Sequence, residues 1–315
     1  MNLIKYRYLY FAISLLVIIP GVLALIFWGL PLGIDFTGGS LLEVQFKSGT
    51  PPTIAQVSTI YSNLSTSTMD ISNPEIQPLG TDGLSIRSRE MNDATKTKVV
   101  TALQTQYGGG QAVVIQDFNQ VTASVGAQVA RAAALAVVMA SVAILIYIWY
   151  AFRKVSHPFR FGVAAIIATI HDTLVVLGMG AILGHFLGWQ VDSLFLTALL
   201  TVIGFSVHDD IVVFDRIREN SNIYRRVEFE TVVNHSIVQT MDRSINTQLT
   251  VMITLLALAL FGGDTIHHFV VILLIGVFSG TYSSIFNASP ILVVWENKEW
   301  RNWFHRKEES VTTLP

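Results

Sequence analysis

Residues 208–218 read HDDIVVFDRIR. A histidine and two adjacent carboxylates, His208, Asp209 and Asp210, close an apolar run that begins at Leu194, and a basic segment follows at once. A charged group at the middle of a membrane helix costs roughly 2.5–3.5 kcal/mol, so it persists where it meets a partner or a water-filled path. Imidazoles and carboxylates are also side chains that pass protons. The chemistry indicated is uptake and release of protons inside a membrane. Two further sites belong with this cluster: His171-Asp172, within the apolar stretch TIHDTLVVLG, and Arg243, at the head of another apolar run.

Spacing refines the picture. Thr197, Thr201, Gly204 and His208 follow i, i+4, i+7, i+11 and share one helix face, as do Arg243, Thr247, Thr250 and Thr254. Asp209 stands roughly a quarter turn from His208 and Asp210 further round, so the three cannot meet a single partner. If the two helices run antiparallel and adjacent, the arginine face meets the acid cluster. An arginine favours the ionised acid and desolvation favours the protonated one, which leaves a proton that comes and goes. Each site has a plainer reading. His171-Asp172 can be a hydrogen-bonded brace, the acid cluster a helix end among headgroups, and Arg243 an interfacial cation. The apolar turn IVVF (211–214) before Asp215 tells against the second of these.

Other chemistries fit less well. The chain has no cysteine, which removes disulfides, thiolate metal sites and cysteine nucleophiles. No Gly-x-x-x-x-Gly-Lys motif is present, GGGQ (108–111) reads as a turn, and serine-hydrolase and metal-ligand spacings are missing. His267-His268 falls short of a metal set. Small-residue stripes at Gly276, Gly280, Ser283 or Ser284 and Asn287, and at Gly126, Ala130, Ala133, Ala134 and Ala140, read as packing surfaces. No enzyme, catalytic residue, metal or cofactor is expected.

The elements that must hold these residues follow from hydropathy. The 315 residues are 51% hydrophobic and 13% charged, with mean hydropathy +0.53. A soluble domain carries about 25% charged residues, so this composition is that of an integral membrane protein. Six stretches are long enough to span: 8–30, 128–150, 159–184, 191–214, 245–262 and 268–294. The fifth is short, and the sixth either runs its full length or ends near Pro290. The first reads as an uncleaved anchor, since its apolar core exceeds a signal-peptide core and no small-x-small cleavage site follows. Lys and Arg gather between spans two and three (Arg153, Lys154, Arg160), between four and five (Arg216, Arg218, Arg225, Arg226, Arg243), and in the tail (Lys298, Arg301, Arg306, Lys307). Loops 184–190 and 261–268 hold neither. Both termini are therefore expected in the cytoplasm and residues 31–127 on the far side.

That far-side segment reads as a soluble α+β domain. Strands are expected at 41–46, 75–78, 84–87 and 112–118, with turn residues at 80–83 and helices at 53–64 and 93–106, the second capped by Asn92 or Asp93. The order β-α-β-β-α-β suggests a ferredoxin-like sandwich. The domain holds five Lys or Arg against eight Asp or Glu, which does not favour nucleic acid. The expected organisation is a cytoplasmic N-terminus (1–7), a first span (8–30), the far-side domain (31–127), five further spans (128–294) and a cytoplasmic tail (295–315), polar and disordered after about Trp303.

The motifs together resemble the SecF family of the bacterial protein-export machinery. GIDFTGGS (33–40), with Gly33, Asp35, Gly38 and Gly39, is similar to that family's opening signature. IHDTLVVLG (170–178), DDIVVFDRIREN (209–220) and SINTQLTVMITLLALALFGG (244–263) are similar to its third-, fourth- and fifth-helix motifs, in the right order. The resemblance implies an α-helical polytopic membrane protein, a six-helix half of an RND-type transporter core. It implies a partnership with SecD beside the SecYEG channel, SecA supplying the ATP-driven push, and proton-motive force used to draw translocating preprotein across late in export. The family's intramembrane aspartate maps to Asp209 and its helix-five arginine to Arg243. Where the family has Asn-Asp-Thr or Asn-Asp-Ser, this chain has His208-Asp209-Asp210, so either acid can carry the proton and His208 can join the relay. The glycines are expected to allow a sharp exit from the first span. The expected home is the bilayer of the bacterial plasma (inner) membrane, with an internal membrane such as a thylakoid as the variant. Two other functions compete: a scaffold that docks SecD and the channel without conducting protons, and a small-molecule RND-type antiporter, whose far-side domains are typically larger.

Overall fold

The computed structural model describes residues 2–47, 51–66, 69–80, 82–107, 113–153 and 158–299. The turn expected at 108–111, Thr81, Lys154 and the tail from 300, with Arg301, Arg306 and Lys307, lie outside the described residues. The chain divides into two units. One comprises Met1–Leu30, Val137–Phe186 and Leu194–Pro315, the other Pro31–Ala136 and Leu187–Ser193.

The second unit is built on a four-stranded antiparallel sheet. Its elements are α2 (Ile34–Thr37), β1 (Gly39–Phe46), α3 (Ile54–Leu64), β2 (Glu75–Leu79), β3 (Gly83–Ser88), α4 (Asp93–Tyr107) and β4 (Val113–Val121). The sheet order is β2-β3-β1-β4. β3 lies between β1 and β2, and β1 between β3 and β4, so α3 and α4 each cross a strand. Alternation in β1 sends Leu42, Val44 and Phe46 into a core with Ile76, Leu84 and Ile86 of the sheet, Val57, Ile60 and Tyr61 of α3, and Val99 and Leu103 of α4. Thr53 and Gln56 close a capping box at the start of α3. Asn92 caps α4 by accepting the Thr95 N–H at 2.9 Å.

The signature glycines serve the entry into this sheet. Gly38 and Gly39 have φ of 74° and 132°. A Cβ at Gly38 would lie 2.6 Å from Ala123 Cα, and one at Gly39 2.6 Å from Ser88 O. Asp35 Oδ2 accepts the Ser193 N–H at 2.9 Å, and Gly33 N–H donates to Val191 O at 2.7 Å. The left-handed residue that follows the first long helix is instead Gly29, with φ 72°.

The first unit holds the ends or whole lengths of six helices long and apolar enough to cross a membrane. They are α1 (Arg7–Phe27), α5 (Ala123–Phe152), α6 (Pro158–Leu187), α7 (Ser193–Ile223), α8 (Phe229–Phe261) and a composite of α9 (Asp264–Ser283), a π-helical turn (Ser284–Ala288) and α10 (Ser289–Glu296). Two helices outrun their apolar cores. α8 begins at Phe229 and α7 ends at Ile223 because their polar ends bind each other: Asn220 donates to Ser236 Oγ (2.9 Å) and Gln239 Oε1 (2.8 Å), and Arg216 donates to Gln239 (2.7 Å). The sixth helix passes through Pro290 by way of the π turn. Proline offers no N–H and its ring crowds the carbonyl four residues earlier, and a widened turn relieves both. Phe161, Ala164, Ala168, Val207, Phe214, Ile237, Ile285 and Leu292 pack in the shared core.

Candidate functional site

Three helices converge on Asp172. α6 carries it at the centre of its span, fully buried. Its Oδ1 meets His171 Nδ1 at 2.9 Å and accepts from Ser279 Oγ at 2.6 Å. Its Oδ2 accepts from Ser206 Oγ and Ser283 Oγ, each at 2.6 Å. Ser206 comes from α7, Ser279 and Ser283 from one face of α9. Three serine hydroxyls from two other helices thus donate to the carboxylate, and His171 shares its Oδ1.

One turn below Ser206 on α7 stands Asp210, with its neighbour Asp209; their exposures are 0% and 2%. The two are equipped differently. Asp209 Oδ2 accepts Gln248 Nε2 of α8 at 2.6 Å. Both Asp210 oxygens are buried without a hydrogen-bond partner among the described residues. So are His171 Nε2, Gln248 Oε1 and Ser244 Oγ. Asp172 and Asp209 both act electrostatically on Asp210. No Lys or Arg among the described residues lies within ion-pair distance of the three acids.

The structure therefore brings His171, Asp172, Asp209 and Asp210 into one buried cluster. It does not bring Arg243 there. Arg243 is exposed, and the residue α8 offers to Asp209 is Gln248, five positions on and about 140° round the helix. His208 is also exposed, as are Thr197, Gly204, Thr247, Thr250 and Thr254 of the two polar faces. The stripe on α9 does more than pack. Gly276 is a close-packing position, where a Cβ would meet Val202 at 2.1 Å, whereas one at Gly280 would make ordinary contact with Ser206 at 3.4 Å; Ser279 and Ser283 serve Asp172. Asn287, in the π turn, is paired with Ser14 of α1 at 2.8 Å. Sequence reasoning passed over Gln248, Ser206 and Ser279. Their signal was a hydroxyl or amide inside an apolar span, at helical spacing from an acid or from another hydroxyl.

Residues 100–298, well over half the chain, match the family model of the protein export membrane protein SecD/SecF, C-terminal. The chain belongs to the SecD/SecF family. The SecD/SecF GG motif matches residues 24–50, which contain Gly33, Asp35, Gly38 and Gly39. Among relatives, the protein translocase subunit SecF of Anaerolinea thermophila is 53% identical over 97% of each chain. That of Thermobaculum terrenum is 48% identical over 98% of each. Among solved structures, SecDF of Thermus thermophilus, a translocon-associated membrane protein, matches with TM-score 0.79 and 28% identity over 94% of this chain. This chain spans 39% of that longer one. SecDF in a super-membrane-facing form matches with TM-score 0.63 and 25% identity. Family membership and the six apolar helices make this a multi-pass membrane protein of the export family.

Proposed function

We propose that this chain is an accessory subunit of the Sec preprotein translocase, acting with a SecD partner beside SecYEG and using the proton-motive force late in export. The observation that carries the reading is Asp210: fully buried, without a donor to either oxygen, beside Asp209 and Asp172. A buried carboxyl with no donor to either oxygen, beside a second acid, is a group placed to take up and give back a proton. Asp209 and Asp210 then form the loading site, Gln248 orients Asp209, and Asp172 with His171 is the fixed polar centre. One elementary charge moving through 100 mV supplies about 2.3 kcal/mol, enough to bias a conformational equilibrium.

Several features support the rest of the assignment. The polar faces Thr197–Gly204–His208 and Arg243–Thr247–Thr250–Thr254 are exposed within apolar spans. The hydroxyls of Thr247, Thr250 and Thr254 donate to carbonyls of their own helix, but the side chains of His208 and Arg243 are costly against lipid, and a membrane partner with complementary groups, here SecD, covers them. Arg243 and His208 then act across that interface. The loop charges support a reading with both termini in the cytoplasm and the segment at about 31–127 on the far side of the bacterial plasma membrane. Its β-α-β-β-α-β order with strand order β2-β3-β1-β4 is read as ferredoxin-like.

The test is late-stage preprotein translocation in inverted vesicles carrying this chain and its partner, with and without a proton gradient. Asp209→Asn and Asp210→Asn are expected to abolish the gradient's benefit while the complex still assembles. A gradient response equal to wild type in both variants, singly and together, would overturn the proton reading. The second reading, a non-conducting scaffold, draws on Asp172, whose bonds brace α6, α7 and α9. It would then take the first reading's place.

A further inference from the structure

The sixth helix joins the acid centre to α1 by two routes. On its acid side, Ser279 and Ser283 donate to Asp172, and the Tyr282 ring stacks on His171 with centroids 6.3 Å apart and planes 26° apart. On its other side, Asn287 pairs with Ser14 Oγ at 2.8 Å, Tyr282 OH donates to Tyr10 O at 2.8 Å, and Phe286 packs on the Tyr10 ring at 4.6 Å. Between Ser283 and Asn287 the helix is not α-helical. The π turn Ser284–Ala288 begins at the residue after Ser283 and contains Asn287. Ser289 Oγ reaches back to Ser284 O at 3.2 Å across the widened turn.

A π turn holds one residue more than the α-helix it interrupts, and it recurs at functional sites. Closing it to α geometry would rotate everything beyond it by about 100° relative to Ser279 and Ser283. That rotation would carry Asn287 off Ser14 while the serines stayed on Asp172. A π and an α register would therefore set the flanking side chains differently, and in the π register those side chains touch the acid centre at one end and α1 at the other. Ser14 and Asn287 are buried at 7% and 4% exposure. Neither touches an acid, so the pair has no part in binding the proton. The ionisable groups in contact with the side chains that flank the turn are Asp172 and His171 of α6 and Tyr10 of α1, with Tyr282 of α9 itself.

We infer that the π turn Ser284–Ala288 is the joint through which a change in the hydrogen bonding of Asp172 is passed to α1, with Asn287 and Ser14 as its positioning pair. α1 is the helix whose chain continues into the sheet unit, so the joint connects the acid centre to the segment that leads there. The inference rests on the proton reading above and adds the route by which proton binding is converted into movement.

The chain has no cysteine, which makes a direct test clean. Ser14→Cys with Asn287→Cys is cross-linked by an oxidant and assayed, with its partner, for gradient-stimulated translocation in the same vesicles, oxidised and reduced. Loss of the gradient response on oxidation, with its return on reduction and no change in complex assembly, is the expected result. An oxidised, fully cross-linked protein that keeps the response of its own reduced form overturns the inference. If the double-cysteine protein fails to assemble, the exchange Ser14→Asn with Asn287→Ser decides. It should restore the response that Asn287→Ala loses, and an assembled exchange variant with no better response than Asn287→Ala counts against the joint. Asp210→Asn, run in parallel, separates the two levels. A response lost in that variant but kept in the cross-linked protein leaves the proton site standing and removes only the joint.

Discussion

Ser283→Ala removes one of the three hydroxyl donors to the Asp172 carboxylate. A hydrogen bond contributes about 0.5–1.5 kcal/mol net in soluble proteins, and polar contacts between membrane helices average about 0.6 kcal/mol and reach about 1.7. The Ser283 contact is short, at 2.6 Å, and its acceptor is fully buried, so water cannot replace the lost donor. Its expected cost is therefore near the upper membrane figure, about 1.5 kcal/mol. Ser206→Ala and Ser279→Ala should behave alike, since their bonds have the same length. The three share one acceptor, so losses compound: removing all three leaves a carboxylate held by His171 alone, at a cost of several kcal/mol. The assay is a double-mutant cycle on the purified protein in detergent, pairing Ser283→Ala with Asp172→Asn and reading unfolding free energies. If the serine bonds to the carboxyl group, it loses most of its effect once Asp172 is an amide, and a coupling of about 1 kcal/mol follows. A coupling indistinguishable from zero would refute the view that these hydroxyls hold Asp172, and would reduce them to packing residues.

Other expectations follow from single contacts. A Cβ at Gly178 would lie 2.6 Å from Gly21 Cα, backbone that cannot yield, so Gly178→Ala should destabilise the α1–α6 contact by about 1–3 kcal/mol, with Gly21→Ala milder at 3.0 Å. Thermal unfolding in detergent reads both, and equal stability of Gly178→Ala and wild type would contradict the close approach. Gly204 has nothing within 4 Å, so Gly204→Leu should leave the isolated chain as stable as wild type while weakening co-purification of the SecD partner; unchanged co-purification would remove that face from the interface. Gln248→Leu takes away the amide on Asp209 and should weaken the gradient's stimulation of translocation without loss of assembly. At the end of the sixth helix, partial burial opposes the charge of Glu299, but bonds from Arg7, Tyr8 and Asn297 outweigh it and hold its pKa below the usual 4.5. A lowered acid stabilises the fold above its unfolded value and loses that contribution as pH falls through the folded one. Glu299→Gln should therefore lower stability near neutrality and flatten the acid side of the unfolding temperature against pH; an unaltered profile would show that the contact contributes nothing.

Much of this protein is legible in its sequence because the signals are local. Apolar runs mark all six long helices, and alternation in LLEVQF marks the first strand of the sheet. Charges in those runs announce themselves, so His171, Asp172, Asp209 and Asp210 are visible as intramembrane groups without any structure. Periodicity, however, gives a side chain's angle about its own helix axis, not the neighbour on that side. In helices apolar all round there is no amphipathic contrast to say which face turns inward. Hence Arg243 and Gln248, both on α8, are equally plausible partners for Asp209 by sequence, and only the rotation of α8 in the bundle decides for Gln248. The same limit hides the meeting of Ser206, Ser279 and Ser283 on one carboxylate, since they come from helices far apart in the chain. The polar lengths of α7 and α8 carry no hydropathy signal and are helical because they bind each other. Pro290 signals a disturbance in the sixth helix, but whether it ends, kinks or widens the helix depends on the neighbours that can receive its side chains. Composition and order thus determine which groups enter the membrane and roughly where, while packing alone determines which of them meet, because contact is a property of two surfaces and a sequence specifies each only relative to itself.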